Sequence, residues 1–340
     1  MPNVDASSLI NKNLALLLPT SGSTGLAKFV RISHNNILSN SSSIIKYLKI
    51  DASDITITTL PMSYSFGLSI INTYYNAGAT LIITNNSIVS REFWTIMKNI
   101  DITSISGVPY IFELLNKFGF FKKSYPNLKT ITQAGGRLKN DLKEKINNYS
   151  SLNKINFFVM YGQTEATARI SYVPPTKLAS KIDSIGIAIP NTKLDIDNKD
   201  SKEGELIFEG EDVSMGYALD HKDLLKGDSN NGMLKTGDIG YKDADGYFYI
   251  TGRKSRFIKI NGIRLSLDDA EKLIENEFED LDVICAGCDD NLVVKYEGKN
   301  NLNDDINNFV CKKIKIHHKY LKVTKINKIS RNSSGKKIYN

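Results

Sequence analysis

The regular exchange of short β-branched runs with helix-like stretches constrains this chain more than any other feature. LALLLPT (Leu14 to Thr20), ITITTLP (Ile55 to Pro61), ATLIIT (Ala79 to Thr84), TSISGVP (Thr103 to Pro109) and KINFFVMYG (Lys154 to Gly162) are short, apolar and mostly closed by Gly or Pro. Such runs read as strands, several of them buried on both faces. Between them HNNILSNSSSIIKYLK, SREFWTIMKNI, YIFELLNKFG and LKNDLKEKINNYS carry apolar residues near helical spacing. The alternation runs to about residue 165 and predicts a largely parallel α/β sheet, with ligands at the carboxyl ends of its strands.

From about residue 182 the texture changes to short strands and tight turns, with Asp245-Gly246 and Asn261-Gly262 as turn pairs. SLDDAEKLIENEFE (Ser266 to Glu279) predicts an amphipathic helix with Ser266 as N-cap and Asp269 in the N3 place of a capping box. A β-rich region followed by a small α+β domain is the expectation. The 340 residues, 41% hydrophobic and 24% charged, suffice for two cores.

Composition excludes some classes of function. There is no run of 18 or more apolar residues, so no membrane insertion is expected. The start MPNVDASSLINKN has neither a basic nor an apolar leader region, and three cysteines are too few for a disulfide framework, which together predict a cytoplasmic protein. The net charge of +7 is spread along the chain without basic blocks interleaved with aromatics, so nucleic acid is not expected as a partner, whereas polyanionic small molecules are. Cys285-x-x-Cys288, Cys311, His317 and His318 have the elements of a zinc site, but no second CxxC is present and VICAGC reads as a buried strand.

The segment with the most chemistry in it is Thr20-Ser21-Gly22-Ser23-Thr24-Gly25-Leu26-Ala27-Lys28, directly after a strand. Small hydroxyl and glycine residues let backbone N–H groups and hydroxyls surround phosphate oxygens, and Lys28 adds a movable positive charge. The spacing is not that of a Walker A loop. Further on, Tyr161-Gly162-Gln163-Thr164-Glu165 ends a strand with an aromatic able to stack on a purine and a carboxylate able to hold a divalent cation. Leu234-Lys235-Thr236-Gly237-Asp238 offers a carboxylate that can accept from two ribose hydroxyls. Gly252-Arg253, Phe257 to Arg264 and Asn332-Ser333-Ser334-Gly335-Lys336 follow in order.

This ordered set resembles the adenylate-forming superfamily of acyl-CoA synthetases, luciferases and peptide-synthetase adenylation domains. The resemblance implies an AMP-binding large domain over residues 1–252, in sheet and helix layers with a β-rich subdomain, and a small mobile C-terminal α+β domain over 253–340. It implies ATP-dependent conversion of a carboxylic acid to an acyl-adenylate with release of pyrophosphate, then transfer to the thiol of CoA or of a phosphopantetheine-bearing carrier protein. Thr20, Ser21, Gly22, Ser23, Thr24, Gly25 and Lys28 would hold phosphates, and Gly135, Tyr161 and Gly162 would flank adenine. Asp238 and Arg253 would fix the ribose, and Glu165 would bind Mg²⁺. Thr164, Lys336 and, after a domain rotation, Lys259 would act in catalysis. Tyr64 and Phe66, within Leu60 to Gly67, and the pair Gly135-Gly136 would line the acid pocket. Ser65 stands where amino-acid-activating members carry Asp, so an α-amino acid is disfavoured; Ser255 stands where the hinge Asp or Lys is expected. His34 matches a helix-start position.

Family members carry an additional N-terminal region ahead of the phosphate loop, which here begins at Thr20. The expectation is therefore a separately encoded N-terminal chain or a homo-oligomer, or else a non-catalytic nucleotide-binding or interaction protein that needs a partner chain.

Overall fold

The computed structural model describes residues 10–19, 28–197, 202–331 and 337–339. The chain divides into two compact units, the first comprising Met1–Asp195, Ile207–Lys235 and Lys242–Tyr249, the second Ile196–Leu206, Thr236–Tyr241 and Ile250–Asn340. Among the described residues no helix is long and apolar enough to cross a membrane.

In the first unit β1 (Leu14–Pro19) pairs antiparallel with β2 (Phe29–Ser33), which runs straight into α1 (His34–Leu48). A closed capping box starts this helix: Ser33 Oγ accepts from Asn36 N at 3.0 Å, and Asn36 Oδ1 accepts from Ser33 N at 2.8 Å. Such a cap contributes about 1 kcal/mol. Asn36 Nδ2 also donates to the Glu211 and Val213 carbonyls at 2.6 and 2.8 Å, so the helix start is tied to a distant segment. His34 is the first residue of α1 and is exposed.

The next elements are β3 (Ile55–Ile57), α2 (Ser65–Asn76), β4 (Thr80–Ile82), α3 (Arg91–Asn99), β5 (Ser104–Gly107), α4 (Pro109–Lys117), β6 (Thr130–Gln133), α5 (Asn140–Leu152), β7 (Asn156–Tyr161), β8 (Ser171–Val173) and β9 (Ile187–Ala188). They build a seven-stranded sheet of order β4-β3-β5-β6-β7-β8-β9. Its first five strands are parallel, and β8 and β9 are added by antiparallel pairings. The parallel part is covered on the α3–α5 side by Phe93, Phe112 and Ile146, which pack on Ile57, Ile105, Ile131 and Phe157 of the strands. All seven are 0–1% exposed, and each such side chain contributes roughly 1.5–3 kcal/mol of burial. The predicted α/β fold class holds, and the five strand runs read from sequence fall on β1, β3, β4, β5 and β7.

The β-rich region comprises β10 (Lys193–Asp197), β11 (Gly204–Glu209), β12 (Tyr217–Ala218), β13 (Met233–Lys242) and β14 (Phe248–Arg253). Strand β12 adds to β2, and the other four form a sheet of order β10-β11-β13-β14. In the second unit β15 (Phe257–Ile260) and β16 (Ile263–Ser266) form a hairpin whose Asn261-Gly262 turn has φ of 50° and 79°, the left-handed pair that a type I′ turn requires. Then come α6 (Leu267–Glu277), β17 (Asp282–Cys288), β18 (Asn291–Glu297), α7 (Asn303–Ile314) and β19 (Leu321–Ile326), with sheet order β17-β18-β19. Ile274, Val283, Val294 and Val310 centre its core.

Ser266 caps α6 as expected, accepting from Asp269 N at 3.1 Å, but the box is not reciprocal. The Asp269 carboxylate lies 3.4 Å from Lys272 Nζ instead, an i,i+3 pair that competes for it. The helix also stops at Glu277 rather than Glu279. The cysteines are unpaired: Cys285 is buried and donates its N–H to Glu271 Oε1 at 2.7 Å, Cys311 is buried beside Asn307, and Cys288 is exposed. His317 Nδ1 accepts from Lys319 N, and His318 bonds Asn307. Among the described residues no group of three or more His, Cys, Asp or Glu is placed to hold a metal ion.

Candidate active site

In the first unit the chemistry gathers at the carboxyl end of β7. After Tyr161 the backbone doubles back so closely that a Cβ on Gly162 would sit 1.8 Å from the Ala168 carbonyl oxygen. Only glycine fits there. The return is fixed by Ile170 N donating to Tyr161 O at 2.9 Å and Ala168 N to Gln163 O at 3.3 Å. Thr164–Ala166 form a single 3₁₀ turn that carries the Thr164 and Glu165 side chains. Thr164 Oγ1 lies 3.1 Å from Ser65 Oγ at the start of α2, and Glu165 Oε1 accepts from Tyr217 Oη at 2.8 Å. Lys28 Nζ stands 5.7 Å from the Tyr217 ring centroid, a cation over an aromatic face. Burial and the neighbouring Glu165 push the Tyr217 phenol upward, so it stays a donor to that carboxylate at neutral pH. Gln163 Nε2 donates to Tyr161 Oη at 3.2 Å.

Tyr217 was not among the residues singled out from sequence. It lies 52 positions from its partner Glu165, in a Met-Gly-Tyr stretch that carries no chemical signal of its own. The strip before it braces the turn: Ser214 N donates to Glu165 O at 2.9 Å and Thr167 Oγ1 to Asp212 O at 2.7 Å. The Asp212 side chain is fully buried and accepts from Asn40 Nδ2 at 3.1 Å. Burial, partly offset by donors on Ser39 and Asn40, pushes its carboxyl up to about 6. A raised folded-state value means the native protein binds this proton more tightly, so stability falls as pH rises from about 4 to about 6 and is level beyond. Asp212→Asn is expected to remove that slope and to raise stability at pH 7 by on the order of 1–3 kcal/mol. Urea melts at pH 4.5 and 7 read it directly; an unchanged slope would place the titration elsewhere.

The predicted acid-pocket residues Tyr64, Phe66 and Gly135 come together. Gly135 has φ +82°, and a Cβ there would meet Tyr64 Oη at 2.4 Å and Val108 Cγ1 at 2.9 Å, so a glycine lets the phenol lie against the backbone. Tyr64 and Phe66 meet edge to face at 6.3 Å. Gly136 faces Pro109, and its carbonyl accepts from Gln133 Nε2 at 2.8 Å, which fixes this turn after β6. Burial pushes the Tyr64 phenol up to about 12, so it too is neutral.

In the second unit Asp238 lies on β13, 2% exposed, and its Oδ1 accepts from Arg253 Nε at 2.8 Å. The turn that presents it is held by Thr236 Oγ1 on the Leu206 carbonyl at 2.9 Å and by Glu205 Oε1, which accepts from Gly237 N at 3.0 Å. Glu205 Oε2 pairs with Lys254 Nζ at 3.0 Å. Lys259, exposed on β15, has its backbone pinned by Asp289 Oδ1 at 2.8 Å and Asp290 N at 2.7 Å.

Thr20 to Gly25 and Lys336 lie outside the described residues. Arg331 and Lys337, the described residues on either side of 332–336, form an antiparallel bridge. Arg331 Nη2 pairs with Asp282 Oδ2 at 2.5 Å, and Lys337 Nζ with Asp282 Oδ1 at 2.7 Å and Glu275 Oε1 at 2.8 Å.

A profile of the family described as AMP-binding enzyme matches residues 3–218. The chain is 26% identical to 4-coumarate–CoA ligase-like 4 of Oryza sativa subsp. japonica, over 95% of this chain and 61% of that protein. It is 26% identical to luciferin 4-monooxygenase of Luciola mingrelica, over 96% of this chain and 62% of that protein. It is 31% identical to the D-alanine–D-alanyl carrier protein ligase of Lactococcus lactis subsp. lactis, over 81% of this chain and 56% of that ligase. The chain thus spans about three fifths of the length of the first two relatives. Among solved structures, o-succinylbenzoate CoA synthetase from Bacillus subtilis in complex with an acyl-adenylate superposes with a TM-score of 0.78 at 22% identity, over 96% of this chain and 69% of that one, a likeness of fold.

Proposed function

Since this chain belongs to the AMP-binding enzyme family, we propose that it activates a carboxylic acid with ATP and Mg²⁺, forming an acyl-adenylate and pyrophosphate, and then passes the acyl group to a thiol of CoA or of a carrier protein. The observation that carries this reading is the group at the end of β7, where Thr164, Glu165, Tyr217 and the Lys28 ammonium stand together beside the start of α2. Both reactants are anions, so catalysis of their meeting is mostly positioning and cancellation of charge.

The residues present fit the groups that the reaction needs. Glu165 offers a carboxylate already oriented by one phenol donor, and a hard cation takes oxygen ligands of this kind, with phosphates and water completing its shell. When bound, that cation would supply charge neutralisation at the phosphates. Lys28 adds a second positive charge, and Thr164 presents a hydroxyl to the adenylate phosphate. Asp238, with one oxygen on Arg253, has the acceptor capacity for ribose hydroxyls. Lys336 is assigned to the developing charge on the carboxylate and α-phosphate, and Lys259 to the thiol-transfer step. The nearby relatives support a thiol acceptor without choosing it: one is named a CoA ligase-like protein and another a carrier protein ligase.

The test is exchange of labelled pyrophosphate into ATP by the full chain with a panel of carboxylic acids. Acid-dependent exchange is the expected result. No exchange with any acid, alone or with a candidate partner chain, would overturn the reading.

A further inference from the structure

Two arginines among the described residues are buried to 0–1% exposure, Arg31 and Arg169, and their surroundings differ. Arg31 donates to the Met215 and Lys226 carbonyls and to Ser229 Oγ, and Asp223 and Asp228 act on it as compensating charges. Among the described residues no carboxylate acts on Arg169 as a compensating charge. Its Nη1 donates to Ser69 Oγ at 3.0 Å, Tyr47 accepts from the guanidinium, and the charge centre lies 4.1 Å from the Phe66 ring centroid. Nε is buried and has no hydrogen-bond partner among the described residues. The neighbouring acid Asp212 is turned to Ser39 and Asn40. A guanidinium has five N–H donors and binds carboxylates along its edge, and a buried cation without an anion is strongly unfavourable.

The position of this uncompensated charge matters. Phe66, whose ring the guanidinium carbon overlies, and Tyr64, whose hydroxyl acts on it electrostatically, are two of the side chains assigned to the acid pocket. Ser69 is one turn further along the same helix α2 and spends its hydroxyl proton on Phe66 O at 2.7 Å, leaving its oxygen for Arg169. The guanidinium carbon lies over the Phe66 ring, and the Nε–H remains an unused donor among the described residues. A cation here also repels an ammonium group, which agrees with Ser65 in place of an acidic residue and argues against α-amino acids.

We propose that Arg169 is the specificity-determining residue of the acid pocket and that the acid activated by this chain carries a second carboxylate, bound by the Arg169 guanidinium. The inference rests on the adenylation reading above. One carboxylate attacks the α-phosphorus, the bond from that phosphorus to the bridging oxygen of pyrophosphate breaks, and the other carboxylate stays intact on the arginine.

The experiment is pyrophosphate exchange by the full chain with matched pairs of equal carbon number: succinate and butyrate, glutarate and pentanoate, adipate and hexanoate. At least one diacid should exceed its monoacid partner by tenfold or more in kcat/KM. Arg169→Met should bring that ratio to about one, while Arg169→Lys, which keeps the charge but loses the fork, should retain part of it. Monoacids as good as or better than every diacid in the native chain would overturn the inference even if both variants fail to fold. So would exchange confined to acids with uncharged tails, or a diacid preference that survives in folded Arg169→Met. Absence of exchange with all acids would instead defeat the adenylation reading, and this inference with it.

Discussion

Lys336→Ala is expected to reduce acid-dependent pyrophosphate exchange by about 10²–10³-fold, the usual loss when one preorganised donor to a developing oxyanion is removed, while ATP binding measured by calorimetry stays within about twofold of native. Such a split marks a group that acts in the transition state rather than in the ground state. The adjacent Lys337 cannot stand in for it. Its ammonium is engaged by Glu275, Asp282 and the Val283 carbonyl at 2.7–2.8 Å, with the side chain 17% exposed. Exchange that persists at native rates in Lys336→Ala would show that the tail motif has another role.

The second large effect is expected at Asp238. Its carboxylate is almost fully buried, and hydrogen bonds to a charged acceptor contribute about 1.5–3 kcal/mol each. Loss of two ribose contacts in Asp238→Ala should weaken ATP by roughly 10²-fold or more. The variant also deprives Arg253 of its partner at 2.8 Å, so weaker binding by itself would be ambiguous. Comparison of ATP with 2′-deoxy-ATP resolves this: the native chain should prefer ATP, and Asp238→Ala should not. A preference for ATP that survives the substitution would mean that the ribose is read by another group.

Much of this architecture was readable before folding was considered, because the signals are local. A run such as INFFVMYG is short, apolar and followed by a residue type that ends strands, so β7 declares itself within eight positions. Helix α2 did not. Its sequence SFGLSIINTYYN is rich in β-branched and aromatic residues and has a glycine near its start, all weak helix formers. It is helical because Phe66, Ile70 and Tyr74, four residues apart, are each at most 4% exposed when they share one face. Strand β6 was likewise missed, since Thr130–Gln133 is polar in composition and is buried only because β5 and β7 flank it.

The candidate site divides in the same way. The Tyr161 to Glu165 motif names its carboxylate, but nothing in it names the phenol that orients that carboxylate, and Arg169 sits between Ala168 and Ile170 with no pattern to mark it. Local sequence marks the chemically suggestive short segments and most of the order of strands and helices, because both depend on neighbours a few residues apart. Packing of distant segments is what brings Tyr217 to Glu165, buries Asp212, and sets Arg169 against Phe66 with no acid acting on it among the described residues. Those outcomes depend on which distant segments exclude water from a charge, and burial of that kind is a property of packing that no local run of residues encodes.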